Sequence, residues 1–342
     1  MSLYFWGKGR VLRIFLTFAG SVFLFLGLSS CEYGVHEFLV RADEANDRSS
    51  RLVNLADSGD SSLHDEVKPP LINEDKFSVF IFSDIHFGRN GENKPRRYED
   101  VFYDYFEKNM EAIQKYDGND YPLRFSVCSG DCVEYGVESE YKIYKGFCDN
   151  LKNISTQANF KAKFPNSSIV MPENGLTTYT IAGNHDLFNS GWANWRQYCY
   201  PYISSYYFET NYQGKNLTWY FLDTGNGSLG YKQFEDLQTK LKTDNNRKVV
   251  ISHYPLYAGG IFYFTMQNLV ERDSLISLYT NTNVKFTMEG HYHGGGSYDY
   301  DNFHEELVKS FVDYTSFGII YVDLENETIQ IKQFDYLNPD VK

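Results

Sequence analysis

The chain has no Cys-x-x-Cys pair, and its five cysteines are scattered. Paired thiolates build structural zinc sites, so a site of that kind is not expected here. Positive charge is also scarce. Against 45 Asp and Glu there are 32 Lys and Arg, a formal net charge of −13. A partner of nucleic acid needs a basic face to neutralise phosphates, so nucleic acid is not expected as the main partner. The acidic balance leaves a small phosphate ester open as substrate, because a bound metal can dominate the charge of a small site. The uncharged apolar run at 14–28 is too short for a comfortable membrane span. No internal repeat or low-complexity segment is visible, which argues against a repeat architecture.

What is present is a globular composition, 42% hydrophobic and 23% charged over 342 residues, enough for one large α/β domain or two small ones. The 29 Tyr and 27 Phe point to an aromatic surface as well as an aromatic core. Residues 1–30 read as a leader: Lys8, Arg10 and Arg13 precede the apolar run, which ends at Leu28-Ser29-Ser30-Cys31. Those four residues are similar to a bacterial lipobox, which implies cleavage before Cys31, lipidation of that cysteine and attachment to a membrane of the cell envelope. An ordinary signal peptide or an uncleaved anchor is the alternative. Residues 31–75, rich in Ser, Asp, Asn and Glu, read as a tether, mostly irregular, with a short helix around 46–56. Four further cysteines, Cys128, Cys132, Cys148 and Cys199, allow three full pairings in an exported chain, and Cys128 also suits a core strand.

From residue 76 to 336 apolar runs alternate with helical periodicity. Strands are expected at 77–83, 124–129, 178–182, 217–222, 248–252 and 284–288, with a closing antiparallel pair at 317–324 and 328–334. Helices are expected near 96–116, 138–151, 231–242 and 268–280, whereas 152–176 reads as loop or insertion and 337–342 as a tail. Strands alternating with helices call for a layered α/β fold.

Five of these strands run out into polar residues: Asp84/His86, Asp131, Asn184/His185, His253 and His291/His293. Open α/β sheets place their sites at that edge. Residues two apart on an extended segment share a side, so Asp84 with His86, and His291 with His293, can each aim two donors at one point. A lone histidine after a strand is usually structural. Five of the chain's eight histidines, beside two aspartates and an asparagine, are poorly explained that way.

The ordered set Asp84-x-His86, Gly130-Asp131, Gly183-Asn184-His185-Asp186, His253 and Gly290-His291-x-His293 resembles the calcineurin-like metallophosphoesterases. The resemblance implies a sandwich of two mixed β-sheets flanked by helices, with two divalent metal ions at the sheet edges. Carried over by position, Asp84, His86, Asp131 and His293 would hold one metal; Asp131, Asn184, His253 and His291 would hold the other. A hydroxide between them would attack a phosphate mono- or diester, with His185 contacting the substrate and protonating the leaving group. Asp186 would orient His185. Mixed oxygen and imidazole donors suit Mn, Fe or Zn. Glu134 matches loosely an acidic residue that many relatives carry three places after Gly-Asp, and Tyr135 stands one place late for the tyrosine that ligates iron in purple acid phosphatases. Arg89 is close enough to the first motif to reach a phosphate, or is simply solvated; Tyr254 and Tyr292 line the pocket or only pack. Two readings of another class are a non-catalytic relative using the fold as a binding surface and a glycan-binding surface lipoprotein.

Overall fold

A computed structural model describes residues 42–89 and 93–337. The leader, Cys31 and nearly all of the 337–342 tail lie outside them. Ala42–Arg48 forms α1 and Val53–Asn54 forms β1. Lys76–Phe82 is β2 and Asn93–Asn109 is α2. A small hairpin, β3 (Lys115–Tyr116) and β4 (Asn119–Asp120), leads into β5 (Leu123–Cys128). Two helices follow, α3 (Glu138–Ile154) and α4 (Gln157–Lys163), then β6 (Thr178–Thr180) and α5 (Trp192–Tyr198). The second half runs β7 (Tyr206–Tyr212), β8 (Lys215–Phe221), α6 (Tyr231–Thr243) and β9 (Arg247–Ile251). It continues through α7 (Leu269–Asn281), β10 (Val284–Glu289), β11 (Gly296–Asp299) and β12 (His304–Leu307). It closes with α8 (Phe311–Tyr314), β13 (Ser316–Asp323) and β14 (Thr328–Asp335).

These strands form two mixed sheets, in the order β14-β13-β2-β5-β6 and β1-β7-β8-β9-β10-β12-β11. In the first, β2, β5 and β6 run parallel and β13 lies antiparallel on β2. In the second, β8, β9, β10 and β12 run parallel, while β7 and β11 close it antiparallel. The strand period explains the layering. On β2, Phe77, Val79 and Ile81 face the second sheet and meet Trp219, Val249 and Met288. Phe80 and Phe82 face the other way and pack with Phe102 and Phe106 of α2 and Phe147 of α3. On the far side of the second sheet Tyr220 and Val250 pack against Leu237 of α6 and Leu275 of α7. Strands buried on both faces read as continuous apolar runs, which is why the sequence exposes them. The layered α/β sandwich expected from the sequence is the fold observed.

Three segments depart from the sequence reading. The stretch read as tether is part of the domain from Ala42 onward: the helix lies at Ala42–Arg48, and β1 pairs in parallel with β7. Leu52, Val53 and Leu55 are buried, and the Arg48 guanidinium holds the buried Asp223 carboxylate through bonds of 3.0 and 2.8 Å. Few apolar residues in a polar segment sufficed, because a two-residue strand borrows its ladder from an existing edge. The supposed loop at 152–176 contains α4, whose Thr156 side chain caps the Asn159 amide, and it buries Phe160, Ile169 and Met171. Strands β11 and β12 were too short to show alternation. The four cysteines of the described residues are free thiols; Cys128 and Cys132 lie 3.6 Å apart in the core.

Candidate metal centre

The polar strand exits converge because the strands that carry them are neighbours. Beyond the Phe82–Cys128 pair, β2 and β5 leave their sheet together, and Asp84 N donates to Gly130 O at 3.0 Å while His86 N donates to Asp131 O at 3.1 Å. In the other sheet β9 and β10 deliver His253 and His291 side by side; Gly290 N donates to His253 O at 3.1 Å. Asp84, His86, Asp131, His291 and His293 all have positive φ, between 43° and 63°. Left-handed backbone costs about 1–3 kcal/mol at such residues and persists only where surrounding bonds impose it. Here they do. His291 N donates to both oxygens of Asp84, and Ser310 N donates to His293 O at 2.9 Å.

The result is a set of donors facing one another. Asp84, His86 and His293 form one group, Asp131, His253 and His291 another, and His86, Asp131 and His185 a third that overlaps both, the atoms of each lying within 4.8 Å of one another. His86 Nε2 is 3.2 Å from His293 Nε2 and 3.6 Å from Asp131 Oδ2; His253 Nε2 is 3.4 Å from Asp131 Oδ2 and 3.2 Å from Asn184 Oδ1. Donors about 2.0–2.2 Å from a common ion stand roughly 3.0–3.5 Å apart, so the spacing fits divalent cations. Two outer nitrogens are anchored by hydrogen bonds, His253 Nδ1 to Ser129 O at 2.8 Å and His293 Nδ1 to Asp313 Oδ2 at 2.6 Å. His86 Nδ1 stands 2.8 Å from Glu134 Oε2 as an ion-pair contact outside hydrogen-bond alignment. That pattern presents Nε2 of each ring inward and fixes its orientation.

Charge tells the same story. Burial opposes the Asp84 carboxylate, yet His293 and His253 hold its pKa down at about 2. Burial also opposes charge on His253 and His293, but the carboxylates beside them raise these rings to about 9 and about 10. His291, desolvated by burial and next to the charge of His253, falls to about 3. Two buried carboxylates are thus balanced by protons on imidazoles, the protons that metal binding releases. The donor set fits a pair of divalent ions.

The glycines of two motifs are required by this crowding. A Cβ on Gly183 would lie 2.2 Å from Asp131 Oδ1, and one on Gly290 would lie 2.0 Å from Ser83 Oγ. Both positions put backbone where only a hydrogen fits.

Other expectations are revised. Asp186 does not touch the His185 ring. Its fully buried carboxylate accepts from Gly183 N at 2.9 Å and Val133 N at 3.2 Å, and it ties the Gly183-Asn184-His185 loop to the Asp131 loop. Burial, then the neighbouring Asp131, pushes its pKa up to about 7. The His185 ring is instead oriented by the Glu134 carbonyl, 3.0 Å from Nδ1, and stands edge-on to His86. Burial, outweighing Asp131, lowers the pKa of His185, so its proton is not sustained by Asp186. Arg89 bonds Asp313 at 3.0 Å, behind His293, and so supports a ligand's support. Tyr254 is buried with its ring 3.9 Å from that of His291; Tyr292 packs on Phe264. Sequence reasoning missed Asp313, twenty residues beyond His293 on the one-turn helix α8. Its only local signal is the Ser310 cap that accepts from Asp313 N.

A two-sheet α/β sandwich with Asp, Asn and His at the ends of adjoining strands is the architecture of a metal-dependent phosphoric ester hydrolase. The chain belongs to the calcineurin-like phosphoesterase family, whose profile matches residues 77–295. No curated protein sequence matches it. Among solved structures it is similar to GAP50, the anchor in the inner membrane complex of Plasmodium, at 14% identity over 78% of this chain and 86% of that one (TM-score 0.52). A dimetal phosphatase from Danio rerio is 12% identical over 75% of this chain and 95% of that one (TM-score 0.48). The first of these likenesses supports the fold.

Proposed function

We propose that the protein is a two-metal phosphoesterase acting on phosphate mono- or diesters, exported and held at a membrane through Cys31. The observation that carries the catalytic part is the meeting of Asp and His side chains from both sheets in overlapping groups at one place. Asp84, His86 and His293 would hold one ion, and His253, His291 and Asn184 the other, with Asp131 placed between them. When bound, two divalent ions clamp a phosphoryl group and lower the pKa of water between them. The protein's own part is orientation. Ser129, Asp313 and Glu134 fix the ring ligands, and His185 N donates to Asp131 Oδ1 at 2.8 Å, which fixes that carboxylate. With Nδ1–H of His185 donating to the Glu134 carbonyl, its Nε2 is left for the substrate. Only the protonated ring, favoured against burial by the negative charge of a bound phosphate, can bind that phosphate through Nε2–H or hand its proton to the departing alkoxide. Mixed nitrogen and oxygen donors favour Mn, Fe or Zn over calcium.

Metal analysis of purified protein, with a panel of phosphate esters assayed on the same sample, tests this reading. Two transition-metal or zinc ions per chain and hydrolysis of at least one ester class are expected. An intact protein with no metal and no hydrolysis would sink it. Support for the anchor is the sequence Leu28-Ser29-Ser30-Cys31 behind a basic and apolar leader. Mass spectrometry of the mature N-terminus decides that part: a lipidated Cys31 is expected, and an unmodified one overturns it.

A further inference from the structure

Residues that follow the His253 and His293 loops line a cavity of about 760 Å³ that the chemistry above does not use. Its walls continue the two histidine loops of the seven-stranded sheet. One wall begins at Leu256, three residues beyond His253; the other is β11, which begins three residues beyond His293. Three residues span at most about 10 Å, so the cavity starts within reach of one small molecule whose phosphate sits at the ions. Phe264 joins the two places, with its ring 6.0 Å from that of His291, while Phe262 in the same 3-10 turn lines the cavity.

The cavity is built. Glu305 is fully buried, accepts from Leu256 N at 2.6 Å and Tyr257 N at 3.1 Å, and accepts from Tyr300 OH at 2.8 Å. One buried carboxylate thus fixes both walls. Tyr257 and Tyr298 touch edge to face in one part of the lining, ring centroids 4.7 Å apart, and Ile276 of α7 closes the side. Leu256, Phe262 and Ile276 offer no side-chain hydrogen bonds, and most of the lining is apolar or aromatic, its polar members being Thr265, Arg272, Ser297 and Asp299. A sugar placed here would leave hydroxyls facing carbon, each at a cost in binding. A flat ring would instead bury its faces against tyrosine and phenylalanine. Arg272, whose partners Thr265 and Asp273 lie at 3.3–3.4 Å, adds a donor for an acceptor on the ring's edge.

We propose that this cavity is the alcohol-side half of the substrate site, taking the flat aromatic or heteroaromatic group of a phosphate ester. The inference rests on the phosphoesterase reading but can fail separately from it. The test uses the full metal-loaded chain and esters of primary alcohols, so that leaving-group chemistry is matched: methyl, hexyl, hexose 6-, 2-naphthylethyl and nucleoside 5′-phosphates. The ring-bearing esters should exceed hexyl and hexose esters by about tenfold or more in kcat/KM, chiefly through KM. Preference for naphthylethyl alone assigns an aryl group, and preference for the nucleoside assigns a nucleobase. In Ile276→Trp, which fills the cavity, and in Tyr298→Ala, which removes one ring face, the ratio of ring ester to methyl ester should collapse toward one. Uniform rates across the series, or a preference for the hexose ester, overturn the inference while leaving the phosphoesterase reading intact. If no ester is hydrolysed, that reading fails, and binding of 2-naphthylethanol to the metal-free protein still decides the cavity. Saturable binding weakened about tenfold in both variants supports it; no saturable binding at millimolar alcohol overturns it.

Discussion

The two sheets contribute different chemistry to one centre. The five-stranded sheet delivers the oxygen donors, Asp84, Asp131 and Asn184, together with His86; the seven-stranded sheet delivers only imidazoles, His253, His291 and His293. Two of the three clusters draw on both: Asp84 and His86 need His293, and Asp131 needs His253 and His291. The five-stranded sheet by itself gathers only the third group, His86, Asp131 and His185; the other two are incomplete without the seven-stranded sheet. The difference teaches that metal affinity here measures how the layers are docked, and that bound ions in turn join the layers.

The comparison breaks most severely at Asp131, the oxygen donor in contact with histidines of both clusters. Asp131→Asn should lower the occupancy of both ions and reduce turnover by more than about 10³-fold, the upper end for loss of one preorganised electrostatic group. Metal analysis with ester hydrolysis checks it; two ions per chain with near-normal turnover is the contrary result.

His185 stands on the oxygen-bearing side without being assigned as a ligand. His185→Ala should keep both ions and lose about 10²–10⁴-fold on alkyl esters, and much less on activated aryl esters, whose leaving groups need no proton. A plot of kcat/KM against leaving-group pKa should be steeper for the variant, provided chemistry limits both enzymes. Parallel plots with full metal content would assign His185 to holding the phosphate.

If the ions join the sheets, removing them should loosen the whole domain. At free metal 100 times its dissociation constant the ions add about 2.7 kcal/mol per independent site, so chelation should lower Tm measurably and metal should restore it. An unchanged Tm on chelation would mean the layers dock without help. The smallest effects are expected behind the nitrogen donors. Asp313→Ala frees the outer nitrogen of His293 and should weaken metal binding by about 10–100-fold, read by titration of the apoprotein. Arg89→Ala, one contact further out on an exposed pair, should do less.

The sequence by itself determined the framework and the inner ligands. Strands buried on both faces must be apolar throughout, so β2, β5, β8, β9 and β10 were legible, and so was the place where each run stops. Positions two apart at those stops, as in Asp84-x-His86 and His291-x-His293, needed only strand geometry to be read as paired donors. Tertiary structure decided what depends on contacts between distant segments. Asp186, adjacent to His185 in sequence, turned out to serve backbone amides, because the loop turns its carboxylate inward. The Glu134 carbonyl took over the ring, and Asp313 on α8 with Arg89 from the loop after β2 came together to hold His293. The polar segment at 42–75 gained its structure only by docking, as β1 on β7 and Arg48 on Asp223. The aromatic cavity likewise has no local signature: its walls meet because Glu305, in the centre of β12, accepts hydrogen bonds from both. Local periodicity reports which face of a strand is buried; it carries no information about which loop a buried carboxylate will hold.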